Sequence, residues 1–361
     1  MYRLLGIQSL MKTLAIHRFV KAVLPYCFFL VLSGCVDEVQ LPSRSVESRL
    51  AVEGLVTNEK PPYTVKLTFT GEYNSLIYGD YEIPVNGADV SITEIGGRTV
   101  KLVQDALTPA YYWMYDSTFV GKTGKSYQLR ITLPGGTTYI SEPEMLNPVA
   151  EIDRLYAEYH QRDETKIEEP DHYQILLDTK DPGTAGNYYR WSGYGYVPRL
   201  STGEPIGMGG YCCKWCWVPV YGSRSDVLSD VLVNGNSITR RPIMTSPVYY
   251  VGRHYLEVRQ YSLTKSAYQF WVKFEEQRKR NGSLFDPLPA SIDGNVHRED
   301  DPNVLALGYF GSSAVSTRRL TIPGDTLNAA RIEIKYGDVF VKQGNCQLIY
   351  SQGQLNPPAN W

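Results

Sequence analysis

The sequence predicts a mostly β protein: an immunoglobulin-like β-sandwich followed by a larger β-rich domain carrying one amphipathic helix. Three observations carry this reading. Apolar and polar residues alternate over short runs, Gly and Pro turn signals separate those runs, and only one stretch, about residues 264–281, has a helical period. The tyrosine excess agrees with it. There are 28 Tyr against 10 Phe and 6 Trp, and a ring with a polar tip suits half-buried sheet faces.

Residues 49–147 are assigned to the sandwich. Leu50, Val52 and Leu55-Val56 open it. Val65, Leu67 and Phe69 alternate with Lys66, Thr68 and Thr70. Val90, Ile92 and Ile95 run into Gly96-Gly97, a hairpin signal. Tyr111–Tyr115 follows, then Tyr127, Leu129, Ile131 and Leu133 before Pro134-Gly135-Gly136. Six or seven short strands with such turns are the pattern of a sandwich. Asn147-Pro148 marks the boundary, and residues 148–361 form the second domain. Its strands are expected at Ile152–Tyr159, Tyr173–Leu177, Tyr188–Val197, Trp215–Val220, Val227–Val233, Tyr249–Tyr261, Val304–Phe310, Val315–Ile322 and Arg331–Tyr336. Gly-rich Ser201–Gly210 reads as a long flexible loop, and 160–171 as an exposed charged one.

The helix is the exception to the β pattern. Ala267, Phe270, Trp271 and Phe274 fall at i, i+3, i+4 and i+7, which puts one aromatic face against a core. A ligand-binding aromatic stripe is the functional alternative. Thr264 is the expected N-cap, with Ser262 competing. Arg278, Lys279 and Arg280 suit the C-terminal dipole, and Asn281-Gly282 supplies the stop.

Charge excludes one class of partner. With 36 basic and 38 acidic residues, nothing points to nucleic acid. The first segment is an address. Residues 1–34 hold Arg3, Lys12, Arg18 and Lys21, no acid, and the apolar run Val23–Leu32, which is too short to span a bilayer. Met11–Gly34 is a complete signal by itself. Leu32-Ser33-Gly34-Cys35 resembles a bacterial lipobox. By that resemblance cleavage falls before Cys35, whose thiol carries a diacylglycerol. Cleavage removes 34 of 361 residues to leave 327 and, with four basic residues gone, takes the net charge from −2 to −6. Residues 35–48 read as a tether. Asp37 and Glu38 resemble the surface-export signal of Bacteroidota lipoproteins.

Four cysteines remain: Cys212, Cys213, Cys216 and Cys346. An even count in an exported chain points to disulfides, and adjacent Cys212 and Cys213 are poorly placed to bond each other. Cys346 is therefore expected to bridge to one member of the cluster, with the other two closing a small loop. A four-thiolate zinc site and a redox Cys213-Lys214-Trp215-Cys216 motif are the alternatives.

No GxSxG, HExxH, P-loop or GxGxxG motif is present. His160, His172 and His254 have no metal or triad spacing and read as surface or packed residues. Asp293–Asn303 is rich in oxygens that could take Ca²⁺, without EF-hand spacing. Neither a metal nor a cofactor is expected, and the chain is not read as an enzyme. The hydrolase alternative would use Asp286, Asp293 and Glu299. Tyr78, Tyr81, Tyr211, Phe285, Asp286 and Asn295 are the candidate binding-loop residues.

A resemblance covers essentially the whole mature chain. It is carried by Leu50-Ala51-Val52-Glu53-Gly54, the Cys cluster, Gln260-Tyr261-Ser262-Leu263, Ala267-Tyr268-Gln269-Phe270-Trp271, Gly282–Pro289, Gly294-Asn295-Val296, Leu307-Gly308-Tyr309-Phe310 and Ser312–Thr317. With the lipobox these segments resemble the Bacteroidota lipoprotein family known as domain of unknown function 4249. Its members are often encoded beside TonB-dependent receptors. The resemblance implies a lipid-anchored, surface-exposed outer-membrane lipoprotein that accompanies such a receptor in nutrient capture or uptake. A structural or adhesive envelope protein is the remaining alternative.

Overall fold

A computed structural model describes residues 48–71, 82–163, 165–166, 169–205, 209–222, 226–279, 292–324, 342, 344–359 and 361. Its strands are β1 (Leu50–Thr57), β2 (Tyr63–Thr70), β3 (Glu82–Pro84), β4 (Asp89–Glu94), β5 (Thr99–Lys101), β6 (Val103–Gln104), β7 (Tyr111–Met114), β8 (Ser126–Thr132), β9 (Thr138–Ser141) and β10 (Glu144–Met145). The second half adds β11 (Ile152–His160), β12 (Asp171–Lys180), β13 (Tyr188–Pro205), β14 (Tyr211–Tyr221), β15 (Asp226–Ser229), β16 (Ser237–Val248), β17 (His254–Leu263), β18 (Asp293–Arg298), β19 (Leu305–Ser313) and β20 (Val315–Ile322). Helix α1 is Lys265–Arg278, and α2 is the single turn Cys346–Ile349. The chain is thus mostly β, as the alternation predicts.

The first sheet runs β5-β4-β8-β9-β18-β19-β1-β2-β7-β6, with β10 beside β8 and β3 beside β2. It folds over one core. Val90, Ile92, Tyr127, Leu129 and Ile131 from one end meet Val52, Val65, Leu67, Tyr112 and Met114 from the other. These are the inward members of the alternation seen in sequence. The center of the sheet comes from far along the chain. β1 pairs antiparallel with β2 but parallel with β19, Ala51 opposite Leu307. Strands β18 and β19 therefore complete the first sandwich from within the second half of the sequence.

Close backbone approach makes this insertion possible. Gly308 has φ +81°, and a Cβ there would lie 2.1 Å from the Val52 carbonyl oxygen. A Cβ on Gly294 would lie 1.7 Å from the Gly308 oxygen. Where these glycines break the β18–β19 register, the Asn295 side chain replaces the backbone. Its Nδ2 donates to Phe310 O at 2.8 Å and its Oδ1 accepts from Phe310 N at 3.0 Å. Asn295, a candidate binding-loop residue by sequence, is a strand residue that repairs a sheet.

The second sandwich packs β11-β12-β16 against β14-β13-β17-β20. Ile175, Leu177, Trp191, Met244, Leu256 and Val258 fill its core. Gln260 is wholly buried there. It accepts from Trp191 Nε1 at 2.7 Å and donates to Ala150 O at 2.7 Å and Thr179 Oγ1 at 3.2 Å, so no amide group is stranded. His254 is also fully buried. Desolvation lowers its pKa to about 3, so the ring stays neutral beside Ser246 Oγ, 2.8 Å from Nδ1. His160 and His172 are cross-strand partners with stacked rings.

β19 and β20 are separated by Ala314 alone, so one extended segment leaves the first sheet and enters the second sandwich. The crossing is lined by buried serines. Ser262 Oγ donates to Asn147 O at 2.6 Å and accepts from Ala314 N at 2.9 Å. Ser312 Oγ donates to Glu144 O at 2.7 Å, and Ser316 Oγ accepts from Ile152 N at 3.0 Å.

Several local expectations change. Ser201–Gly210 is not a flexible loop through its first half: β13 continues to Pro205 and pairs with β14 across a bulge. Ser201 and Glu204 are buried there under the C-terminal segment, to which they bond. Val227–Val233 is only half strand. It turns at Asp230–Leu232 because the buried Asp230 carboxylate accepts from Gly186 N and Asn187 N. Helix α1 has the expected N-cap, Thr264 Oγ1 accepting from Ala267 N at 3.1 Å. Its aromatic face is narrower than predicted. Ala267 and Phe270 are buried, but Phe274 is 40 % exposed and Glu275 takes the buried place. Asn281-Gly282 and Arg331–Tyr336 lie outside the described residues.

Two predictions follow from the packing. Gly308→Ala should cost about 3 kcal/mol or more in urea denaturation, through left-handed strain and the Val52 clash. Gly135→Ala, with open space around it, should stay within about 0.5 kcal/mol.

Candidate functional site

Cys216 is bonded to Cys346, closing a separation of 130 residues. The bond joins Cys346 to one member of the cluster, as expected, and excludes the alternatives: Cys216 is not half of a Cys213–Cys216 redox pair, and a disulfide provides no thiolates for a four-cysteine zinc site. It also removes the expected small loop between the other two cysteines, because the two that remain are adjacent Cys212 and Cys213, poorly placed to bond each other. Cys213 is exposed on the same strand, and Cys212 is paired through its backbone to Glu204. The tail is held by more than sulfur. Glu204 accepts from Cys346 N at 2.5 Å and Asn345 Nδ2 at 3.1 Å. Trp217 and Gln354 exchange backbone bonds, and Trp361 packs edge-on against Tyr194, Tyr196 and Tyr255.

Of the other sequence candidates, Cys35, Tyr78, Tyr81, Phe285 and Asp286 lie outside the described residues. Tyr211, expected in a loop, is a strand residue whose backbone pairs with Pro205. Asp293 is held by Arg49 at 3.0 Å, and Glu299 by a two-pronged Arg130 at 2.7 Å. Asp300 is bound by Arg298. Among the described residues no group of three or more His, Cys, Asp or Glu could hold a metal ion.

The site that the fold does build is a cleft of about 220 Å³ where the two sandwiches meet. β1, β2, β7 and β19 supply one wall, and β13, β17 and α1 the other. Arg190 stands at its center. It is the cross-strand partner of Tyr261 and faces away from the core that its neighbors Tyr189 and Trp191 fill. Its guanidinium carbon lies 4.1 Å from the Trp271 ring center and 4.8 Å from that of Tyr261. Burial pushes the guanidinium below its ordinary pKa, with Tyr261 and the more distant charges of Glu53 and Glu275 opposing. Among the described residues no carboxylate comes within 4.0 Å of it. On the facing wall Glu53 and Lys66 are cross-strand partners, and Tyr111 follows Lys66 across β7.

Behind the cleft a buried carboxylate fastens α1 to the first sandwich. Glu144 accepts from Tyr309 OH at 2.5 Å, Thr264 Oγ1 at 2.6 Å, Ser266 Oγ at 3.1 Å and Asn295 Nδ2 at 3.4 Å. It thereby sets both Tyr309 and the start of the helix that presents Trp271. Sequence reasoning reached Trp271, through the aromatic stripe, but not Arg190 or Glu144. Arg190 leaves a faint signal, a cation in a strand otherwise rich in Tyr and Trp; Glu144 leaves none.

The Glu144 arrangement predicts a pH dependence. Burial raises its pKa above the usual carboxylate value, with the hydroxyl and amide donors opposing. The folded chain thus keeps this proton at pH values where the unfolded chain has lost it. Its stabilizing contribution is full below the unfolded pKa and declines as pH rises through the folded one. The urea midpoint of the wild type should therefore fall relative to Glu144→Gln as pH rises above 4.5, and a pH-independent difference would refute this. Separately, Cys216→Ser/Cys346→Ser should lose on the order of 4 kcal/mol, and reductant should then have no further effect through this bond.

Known proteins add one firm finding. The solved structures that resemble the chain include the chicken interferon gamma receptor alpha chain, at 10% identity over 60% of this chain and 91% of that one with a TM-score of 0.20, and a tetra-tandem repeat from the extending region of a large adhesion protein, at 10% identity over 76% and 49% with a TM-score of 0.17. At such scores neither likeness supports a conclusion about fold or function. No curated protein matches. A family model matches residues 36–319, most of the chain, and on that match the chain belongs to the family described as a domain of unknown function, DUF4249.

Proposed function

We propose that the chain is a lipid-anchored outer-membrane binding protein of Bacteroidota that accompanies a TonB-dependent receptor in nutrient capture or uptake. The observation that carries the binding part is the inter-sandwich cleft, in which a guanidinium with no carboxylate within 4.0 Å among the described residues is set beside Tyr and Trp rings. Aromatic walls with a few fixed polar groups are the usual chemistry of a small-molecule site. The anchoring part is supported by the basic, then apolar, then Leu-Ser-Gly-Cys order of residues 1–35. Among the described residues no helix is long and apolar enough to cross a membrane. The hydrolase alternative would draw on Asp293 and Glu299, each already paired with an arginine.

Cys35→Ala should abolish incorporation of labelled palmitate and move the protein from the membrane pellet to the soluble fraction; retention of label would refute lipidation at this residue. Affinity capture of the wild type from solubilized outer membrane should recover a TonB-dependent barrel. Recovery of the protein with no barrel would count against the partnership.

A further inference from the structure

Arg190 is the one feature of the cleft that selects among ligands. The Trp271 and Tyr261 rings lie 4.1 and 4.8 Å from its guanidinium carbon, and Tyr261 also takes one side-chain hydrogen bond, which leaves further N–H donors of the fork for a ligand. A planar fork in a site of reduced hydration is matched by a planar two-oxygen anion. Charge on the facing wall limits that anion. Glu53 borders the cleft, and its partner across the ladder is Lys66, so the wall adds little net positive charge. With Arg190 and Lys66 set against Glu53, a dianion would meet a net charge of only about +1 inside about 220 Å³. A monoanion meets the guanidinium without that surplus. Trp271 and Tyr309 also line the cleft and supply apolar ring surface for the body of the ligand.

We propose that the cleft binds a small carboxylate-bearing ligand, with its carboxylate on the Arg190 guanidinium and its body against Trp271 and Tyr309. This rests on the binding-protein reading above and names the ligand class of that same site.

The test is calorimetric titration of the full chain, purified in detergent, with benzoate, galacturonate, benzamide and inorganic phosphate. Saturable binding of benzoate or galacturonate is expected, with benzamide, the uncharged analogue of benzoate, at least roughly tenfold weaker. Arg190→Gln should weaken carboxylate binding by roughly tenfold to a hundredfold. Glu53→Gln, at an exposed position where folding is not at stake, should tighten it about two- to fivefold, and this comparison stands even if Arg190→Gln fails to fold. Four results would overturn the proposal: no saturable binding of either carboxylate, equal binding of benzamide, tighter binding of phosphate, or carboxylate affinity unmoved by Glu53→Gln. Equal binding of benzamide would remove the carboxylate preference and leave a binding cleft in place. A failed receptor capture would remove the partnership and leave the cleft result untouched.

Discussion

The backbone from Ser312 to Ser316 belongs to two sheets at once, and its polar groups have to be satisfied by both. A strand passing from one sandwich into another exposes amides that neither ladder fully accepts. Burying such groups without partners would cost on the order of 1–3 kcal/mol each. Here side chains supply the missing bonds: Ser262 Oγ accepts from Ala314 N and Asn58 Oδ1 from Val315 N, while the segment's own Ser316 and Ser312 hydroxyls bond Ile152 N and the Glu144 carbonyl. Small side chains allow the sheets to approach, and hydroxyls keep the junction dry without leaving donors stranded. The orientation of β19 toward β1, and of β20 toward β17, depends on this short polar seam.

The cleft is a product of the same seam. Two sandwiches joined by a continuous strand cannot close flush along every edge, and the gap falls between β1–β2 and β13–β17, where α1 covers one side. Placing Arg190 there opposes stability. A desolvated cation with no carboxylate against it among the described residues is penalized by several kcal/mol, and its two ring contacts return up to about 2 kcal/mol each. Glu144 shows the reverse solution, a buried carboxyl given four donors. One group is surrounded by bonds at home; the other keeps donors beside the cleft.

Local structure was the most legible part of the sequence. The period-two runs mark most strands because one face of each is buried, and Thr264 reads as the cap because its hydroxyl can accept from a free amide of the first helical turn. Cys346 as the bridging cysteine follows from counting and from the geometry of adjacent cysteines. Long-range pairing was not legible. The parallel union of β1 and β19 joins segments whose own patterns fit almost any neighbor, and its signature is only the glycine at 308. Ser201–Gly210 misleads because small polar residues mean a loop when exposed, yet here Ser201 and Glu204 lie under the tail. The candidate loop tyrosines were chosen for exposure, whereas the cleft is built from strand and helix residues that composition treats as ordinary.

The place of β19 in the first sheet has a consequence for the order of synthesis. Arg49, at the start of β1, bonds to Leu305 O across 256 residues. The early strands therefore lack their central neighbor until nearly the whole polypeptide has emerged. Withholding the keystone strand until late is a topological delay that keeps the leading half from locking while the rest of the chain is still being made.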